Sequence, residues 1–248
     1  MVLHKSNFGY NKIIYDMSIP LLATVHTTAS MTYQVFLPCL CAHKHGSFIF
    51  LAPHAQRPSA ANVKACLAMC VSITTSRRKI TVGRMAELNA AAESVLSYSV
   101  HVADAYCTAV RHIHWDVGRE KVAGFPTAAG VIHAMTSHVG SIDVQYKGGA
   151  ALINLYWEDP DNVRIILELG GLDALYTASD TCLQSADVQY RVGYVMNLIA
   201  RYSSGLKVLR SGRAPEVAAR MLTLHPHVWS VTHFAECLLN KLSYEVKV

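Results

Sequence analysis

Apolar residues recur at helical spacing through most of the C-terminal two thirds of the chain. In MAELNAAAESVLSYS they put Leu88, Ala92 and Val95 on one stripe, and in VADAYCTAVRHIHW they put Val102, Ala105, Ala109 and Ile113 on another. Glycine and proline fall between such stretches, at 124–126, 170–171 and 212–215. The pattern therefore predicts helix after helix with short joints. Ahead of residue 84 the pattern differs: IPLLATV, YQVFLPCLC and SFIFLAPHA are short apolar runs interrupted by Pro and Gly, readable as strands or as packed extended segments. One stretch there, ANVKACLAMCVSI, has apolar residues at helical spacing and predicts a helix near residues 61–73.

A phrase is written twice within the helical part. Asp-Val-Gln-Tyr occupies 143–146 and again 187–190, followed by Lys147 and Arg191, with an Asn-Leu pair shortly beyond in each copy. Aligning AVRHIHWD, ALINLYWE and YVMNLIAR makes His112, Asn154 and Asn197 equivalent at steps of 42 and 43, and a further step of 43 reaches Asn240. The clearest unit has a fixed order. Pro160 opens a short helix, Gly170-Gly171 ends it, LDALYTASDTCL forms a second helix and ADVQYRVGYVMNLIARY a third.

A period of about 40 to 47 residues with two or three helices per unit marks armadillo and HEAT repeats. The residues of ELGGLDALYTASDTCLQSADVQYRVGYVMNLIARY resemble armadillo specifically: a Gly before the second helix, a polar turn, a Val-Gln start to the third helix and an Asn-Leu close. AAGVIHAMTSHVGSIDVQYKGGAALINLYWED is similar, with a longer turn. The expectation is an all-α armadillo-type α-solenoid of about four repeats over residues 84–248, the end units acting as caps, preceded by a basic extension at 1–83 that takes no part in the repeats. Stacked units share one continuous core.

The resemblance also implies a binding surface. In armadillo families the third helices line a concave groove, and the repeated Asn hydrogen-bonds the backbone of an extended peptide. That role would fall on Asn154, Asn197 and Asn240, with His112 in the equivalent place, since an amide offers a donor and an acceptor together. The competing reading is that these residues tie their own helices. Nuclear-import adaptors carry Trp four residues before the Asn, where this chain has Ala150 and Gly193. The aromatic slots of such adaptors are therefore missing, and Trp115 and Trp157, at another repeat position, read as packing residues. Lys147 and Arg191 would form a row that suits an acidic partner.

Charge alters the picture of the first third. The net charge of +5 hides nine Lys/Arg against Asp16 alone in residues 1–86, whereas the remainder carries 13 basic and 16 acidic residues. A C-terminal part with a net charge of −3 has no electrostatic motive for binding nucleic acid. An acid-poor, hydroxyl-rich, basic leader is the composition of organellar transit segments, so a mitochondrial complex subunit is one alternative, beside a cytoplasmic, cytoskeletal or ciliary protein. The uncharged run from Met17 to Ala42 is long enough to span a bilayer, but two prolines, His26 and Gln34 interrupt it.

Two chemical readings compete with scaffolding. CLCAHKH sets Cys39, Cys41, His43 and His45 at alternate positions, which a strand would point one way. These are zinc-type ligands, with Cys66, Cys70 or His54 as completing candidates, yet consecutive alternate ligands wrap one tetrahedral ion poorly. The seven cysteines read as free thiols in a reducing compartment. HIHW and HPHVW invite a catalytic reading, but no nucleophile elbow, phosphate loop or metalloprotease helix accompanies them. His138 ends a second helix, where a ring donor suits exposed carbonyls. The reading is a non-enzymatic scaffold or complex subunit that binds a protein or extended peptide, with no cofactor, metal, nucleic acid or small-molecule substrate.

Overall fold

The structure, a computed structural model, describes residues 57–76, 80–113, 125–156 and 160–243, together with the backbone of four two-residue strands nearer the N-terminus. Two compact units divide at Gln56/Arg57. In the first, β1 (His4–Lys5) pairs antiparallel with β2 (Asn11–Lys12), and β3 (Thr24–Val25) pairs antiparallel with β4 (Tyr33–Gln34). The uncharged run from Met17 to Ala42 lies, apart from the backbone of β3 and β4, outside the described residues.

The second unit is all-α. Its described helices are α1 (Ala60–Thr75), α2 (Val82–Glu93), α3 (Val100–Ile113), α4 (Phe125–Ser137), α5 (Ile142–Tyr156), α6 (Pro160–Glu168), α7 (Gly171–Thr181), α8 (Ala186–Ile199), α9 (Ser203–Ser211), α10 (Ala214–Leu224) and α11 (Trp229–Ser243). They match the predicted order of short, second and third helices in the clearest unit, α6, α7 and α8. Gly170 occupies the joint because the chain turns there with φ +76, a left-handed conformation that costs glycine little. None of the described helices is long and apolar enough to cross a membrane.

Packing follows two rows. The third helices touch in succession, α1 on α3, α3 on α5, α5 on α8 and α8 on α11, while α2, α4, α7 and α10 form the second row. One hydrophobic core runs through both, from Cys66 and Cys70 to Ala235 and Leu238. The unit begins at Arg57, not at residue 84, because α1 buries Cys66, Cys70 and Ile73 and supplies a further third-helix position against α3.

A second ladder ties neighbouring units at the ends of the second helices. His138 Nε2 meets the Leu96 carbonyl at 2.6 Å, Thr181 Oγ1 donates to the Val139 carbonyl at 2.9 Å, and His225 Nε2 meets the Leu183 carbonyl at 2.8 Å. Each bond spans 42 residues, so three units use one rung position with different side chains. His138 thus serves a carbonyl of the preceding unit, where the sequence reading had it serving the end of its own helix.

Candidate interaction surface

The repeated phrase builds the third helix from its first residue onward. Ser141 and Ser185 lie two residues ahead of the aspartates, and their hydroxyls accept from the amides of Val144 and Val188, both at 3.4 Å. Ser99 does the same for Val102 at 3.3 Å in α3. Each cap satisfies an amide that the first turn leaves unpaired. Asp143 and Asp187 then sit in that turn, where a negative charge is favoured. Val144 and Val188 are fully buried in the shared core.

Glutamine closes the turn behind the helix. Gln145 Nε2 donates to the carbonyls of Met135 (2.8 Å) and His138 (3.0 Å), and Gln189 Nε2 to those of Ser179 (2.9 Å) and Cys182 (3.0 Å). The Met135 and Ser179 carbonyls near the ends of the second helices thereby gain a donor without water, and those of His138 and Cys182 gain one beside the amides of Ser141 and Ser185. A buried glutamine with both donors used is a structural residue, and it fixes how each third helix leaves its turn.

The asparagine ladder is also engaged internally. Asn154 Nδ2 donates to the Arg111 carbonyl in α3 at 2.6 Å, and Asn197 Nδ2 donates to the carbonyls of Gly193 (3.0 Å) and of Phe234 in α11 (2.7 Å). Asn197 is 6% exposed, and its Oδ1 accepts from Lys241 Nζ at 3.1 Å. These two side chains tie adjacent third helices together. His112 and Asn240 stand exposed at the remaining places.

The basic row is likewise used. Lys147 Nζ lies 2.6 Å from Asp104 of α3. Arg191 lies between two rings, its guanidinium carbon 4.9 Å from the Tyr146 centroid and 4.8 Å from that of Tyr190, and Nη2 donates to the Tyr146 hydroxyl at 3.1 Å. A guanidinium over an aromatic face is attracted by the ring quadrupole.

Tyr146, Tyr190 and Phe234 recur at steps of 44, so the tyrosine of the repeated phrase opens a ladder of its own. Tyr190 and Phe234 have centroids 5.5 Å apart, Tyr194 meets Phe234 edge-on at 4.7 Å, His233 meets Phe234 at 5.2 Å, and Trp229 stacks on His233 at 5.0 Å. A ribbon of rings with one guanidinium inside it thus crosses α5, α8 and α11. Tyr146, Tyr190, Tyr194 and Phe234 are half-buried, and Trp229 is 74% exposed. Gly193 permits the close approach: a Cβ there would lie 3.3 Å from the Phe234 Cβ. The missing import-type tryptophan is thus a position where α11 comes near α8.

Among the candidate metal ligands, Cys39, Cys41, His43, His45 and His54 lie outside the described residues, as do Trp115 and Trp157. Cys66 and Cys70 are buried in α1, next to Cys107 of α3. The bond from Cys70 holds the Cys66 thiol below its ordinary pKa, the Cys70 thiol is raised by that same bond and by burial, and burial pushes Cys107 up to about 12. No group of three or more metal-ligating side chains forms among the described residues.

The second unit is therefore all-α, in keeping with a helical-repeat fold. No family model matches the chain, and no curated protein matches it. A crystal structure described as that of an engineered protein is similar at 15% identity and a TM-score of 0.40, covering 76% of this chain and 94% of its own.

Proposed function

We propose that the protein is a non-enzymatic scaffold or complex subunit of armadillo type, holding a partner protein along the row of third helices α5, α8 and α11. The observation that carries this reading is the ribbon from Tyr146 through Arg191, Tyr190, Phe234 and Tyr194 to His233 and Trp229. Rigid aromatic and arginine side chains supply most binding energy at protein interfaces. Here they are held by packing and repeat with the fold. The asparagines support this surface by locking α5 to α3 and α8 to α11, so recognition falls to side chains one to two turns earlier on each helix.

The test is a photo-cross-linking residue placed at Tyr194, compared with one at Val208, which is 40% exposed on α9. A discrete adduct with another protein is expected from Tyr194 and not from Val208, and it disappears when Trp229 and Tyr190 are both replaced by Ala. Equal yields at the two positions, or none at either, overturn the reading.

A further inference from the structure

We propose that the face shared by α8 and α11 takes a short acidic segment of a partner protein, its apolar anchor lying against Tyr194, Phe234 and Trp229 and its carboxylate between Arg201 and Lys241. The inference rests on the scaffold reading above and names the chemistry of the partner.

The two helices run parallel, since Tyr190 meets Phe234 and Asn197 meets Lys241, and their shared face has two unlike ends. Tyr190 and Tyr194 meet Phe234 near one end, Asn197 donates to the Phe234 carbonyl midway, and Lys241 Nζ donates to the Asn197 carbonyl at 3.2 Å and to its Oδ1 at 3.1 Å near the other. Arg201 follows the last turn of α8, and Trp229 and His233 stand on α11 one turn apart. One end is aromatic and open on the outer face of the indole. The other is cationic.

At the cationic end a half-buried ammonium meets only neutral oxygens among the described residues. Lys147 is paired with Asp104, and Arg213 and Arg220 both bind Asp180 at 2.9 and 2.5 Å. The Arg201 guanidinium has no hydrogen-bond or ion-pair partner among the described residues, and the Lys241 ammonium has only the carbonyl and amide oxygens of Asn197. Burial draws the Lys241 ammonium below its usual pKa, and the charge of Arg201 adds to this. Two neighbouring cations, one of them half-buried, form a site that a carboxylate from outside completes.

Charge placement favours a peptide over a nucleic acid. Asp187, in the first turn of α8, and Glu236 on α11 are both exposed near the aromatic end. A phosphate backbone would carry charge past these carboxylates as well as the cations. A peptide can place one acidic residue at one end. Seven residues of helix from Phe234 to Lys241 rise about 10 Å, which about three residues of extended chain span.

The test is a selection of 12-residue peptides from a random library on the full-length protein, followed by anisotropy measurements on labelled winners and on a 12-nucleotide poly-deoxythymidine. Winners are expected to carry an aromatic or large aliphatic residue three or four positions from Asp or Glu. Arg201→Glu, an exposed site with no other partner to lose, should weaken them about tenfold or more, as should replacing their acid by its amide. Lys241→Gln should weaken them in the same direction. Winners without an acid that lose binding on Trp229→Ala with Tyr194→Ala, but not on Arg201→Glu, overturn the acidic pairing and leave the scaffold surface standing. Winners indifferent to both sets of variants overturn both readings. Binding of the oligonucleotide at a strength equal to the peptides, or failure to enrich any peptide, overturns the inference.

Discussion

Ser179 and Gln189 hydrogen-bond to each other in opposite directions. The serine hydroxyl donates to Gln189 Oε1 at 2.8 Å, and Gln189 Nε2 donates back to the Ser179 carbonyl at 2.9 Å. Both side chains are buried, so neither bond has water as a substitute. Gln189→Leu leaves the Ser179 carbonyl without this donor, strands the proton of the Ser179 hydroxyl and removes one of two donors to the Cys182 carbonyl, and should lower unfolding free energy by about 2 kcal/mol in a urea titration. Gln189→Glu should be worse near neutral pH, because its carboxylate would face carbonyls. Such a group has a folded pKa above its unfolded value, so its deficit should shrink as pH falls toward about 4.

The two ladder asparagines should differ in what they contribute. Asn197→Ala removes bonds to Gly193, Phe234 and Lys241 at a 6% exposed site and should cost about 2 kcal/mol. Asn154→Ala removes one bond to Arg111 at a half-buried site and should cost about 1 kcal/mol. Equal losses by thermal unfolding would contradict the assignment of Asn197 as the heavier tie.

Asp180 predicts a dependence on acid. The Arg213 guanidinium, and then that of Arg220, hold its carboxyl below the usual carboxylate range, although its side chain is 35% exposed. A folded pKa below the unfolded value contributes stability that is full above the unfolded pKa and is lost as pH falls through the folded one. Wild type should therefore exceed Asp180→Asn by no more than about 1 kcal/mol near pH 7, after allowance for solvent screening. The two proteins should converge once the pH has fallen well below the ordinary carboxylate range.

Thiol reactivity should separate the described cysteines. Cys66, Cys70, Cys107 and Cys182 are buried, while Cys237 is half-exposed with its sulfur 3.8 Å from His233 Nε2. Alkylation of the native protein followed by peptide mass mapping should modify Cys237 first among these five. The other four should react only as the helices open. Modification of Cys107 at the rate of Cys237 would contradict the packing of α1 on α3.

The repeats were legible in the sequence because stacking demands the same residue at the same place in every unit. Steps of 42 to 44, a glycine at the joint and the Val-Gln start all express that demand, and α6, α7 and α8 fall where they point. The start at Arg57 was less legible. Charge and periodicity change near residue 84, but α1 buries small apolar residues and cysteines on one side of a helix of otherwise exposed character.

The repeated phrase carries a second periodic position beside its Asn-Leu: Tyr146, Tyr190 and Phe234 keep a step of 44. The partners of the asparagine and arginine side chains lie on other helices, beyond the reach of a periodicity reading. Asn197 reaches a carbonyl 37 residues ahead and Arg191 a hydroxyl 45 residues behind. A periodic polar residue at a repeat junction serves the stack as readily as it serves a ligand.

The rungs from His138, Thr181 and His225 each reach back 42 residues. Since the tie belongs to the junction and not to any pair of named residues, a unit is an interchangeable part. A chain with residues 157–200 written twice in tandem would offer the Leu183 carbonyl to the new threonine and a fresh leucine carbonyl to His225. It would lengthen the tyrosine ladder by one ring while leaving both ends of the stack as they are.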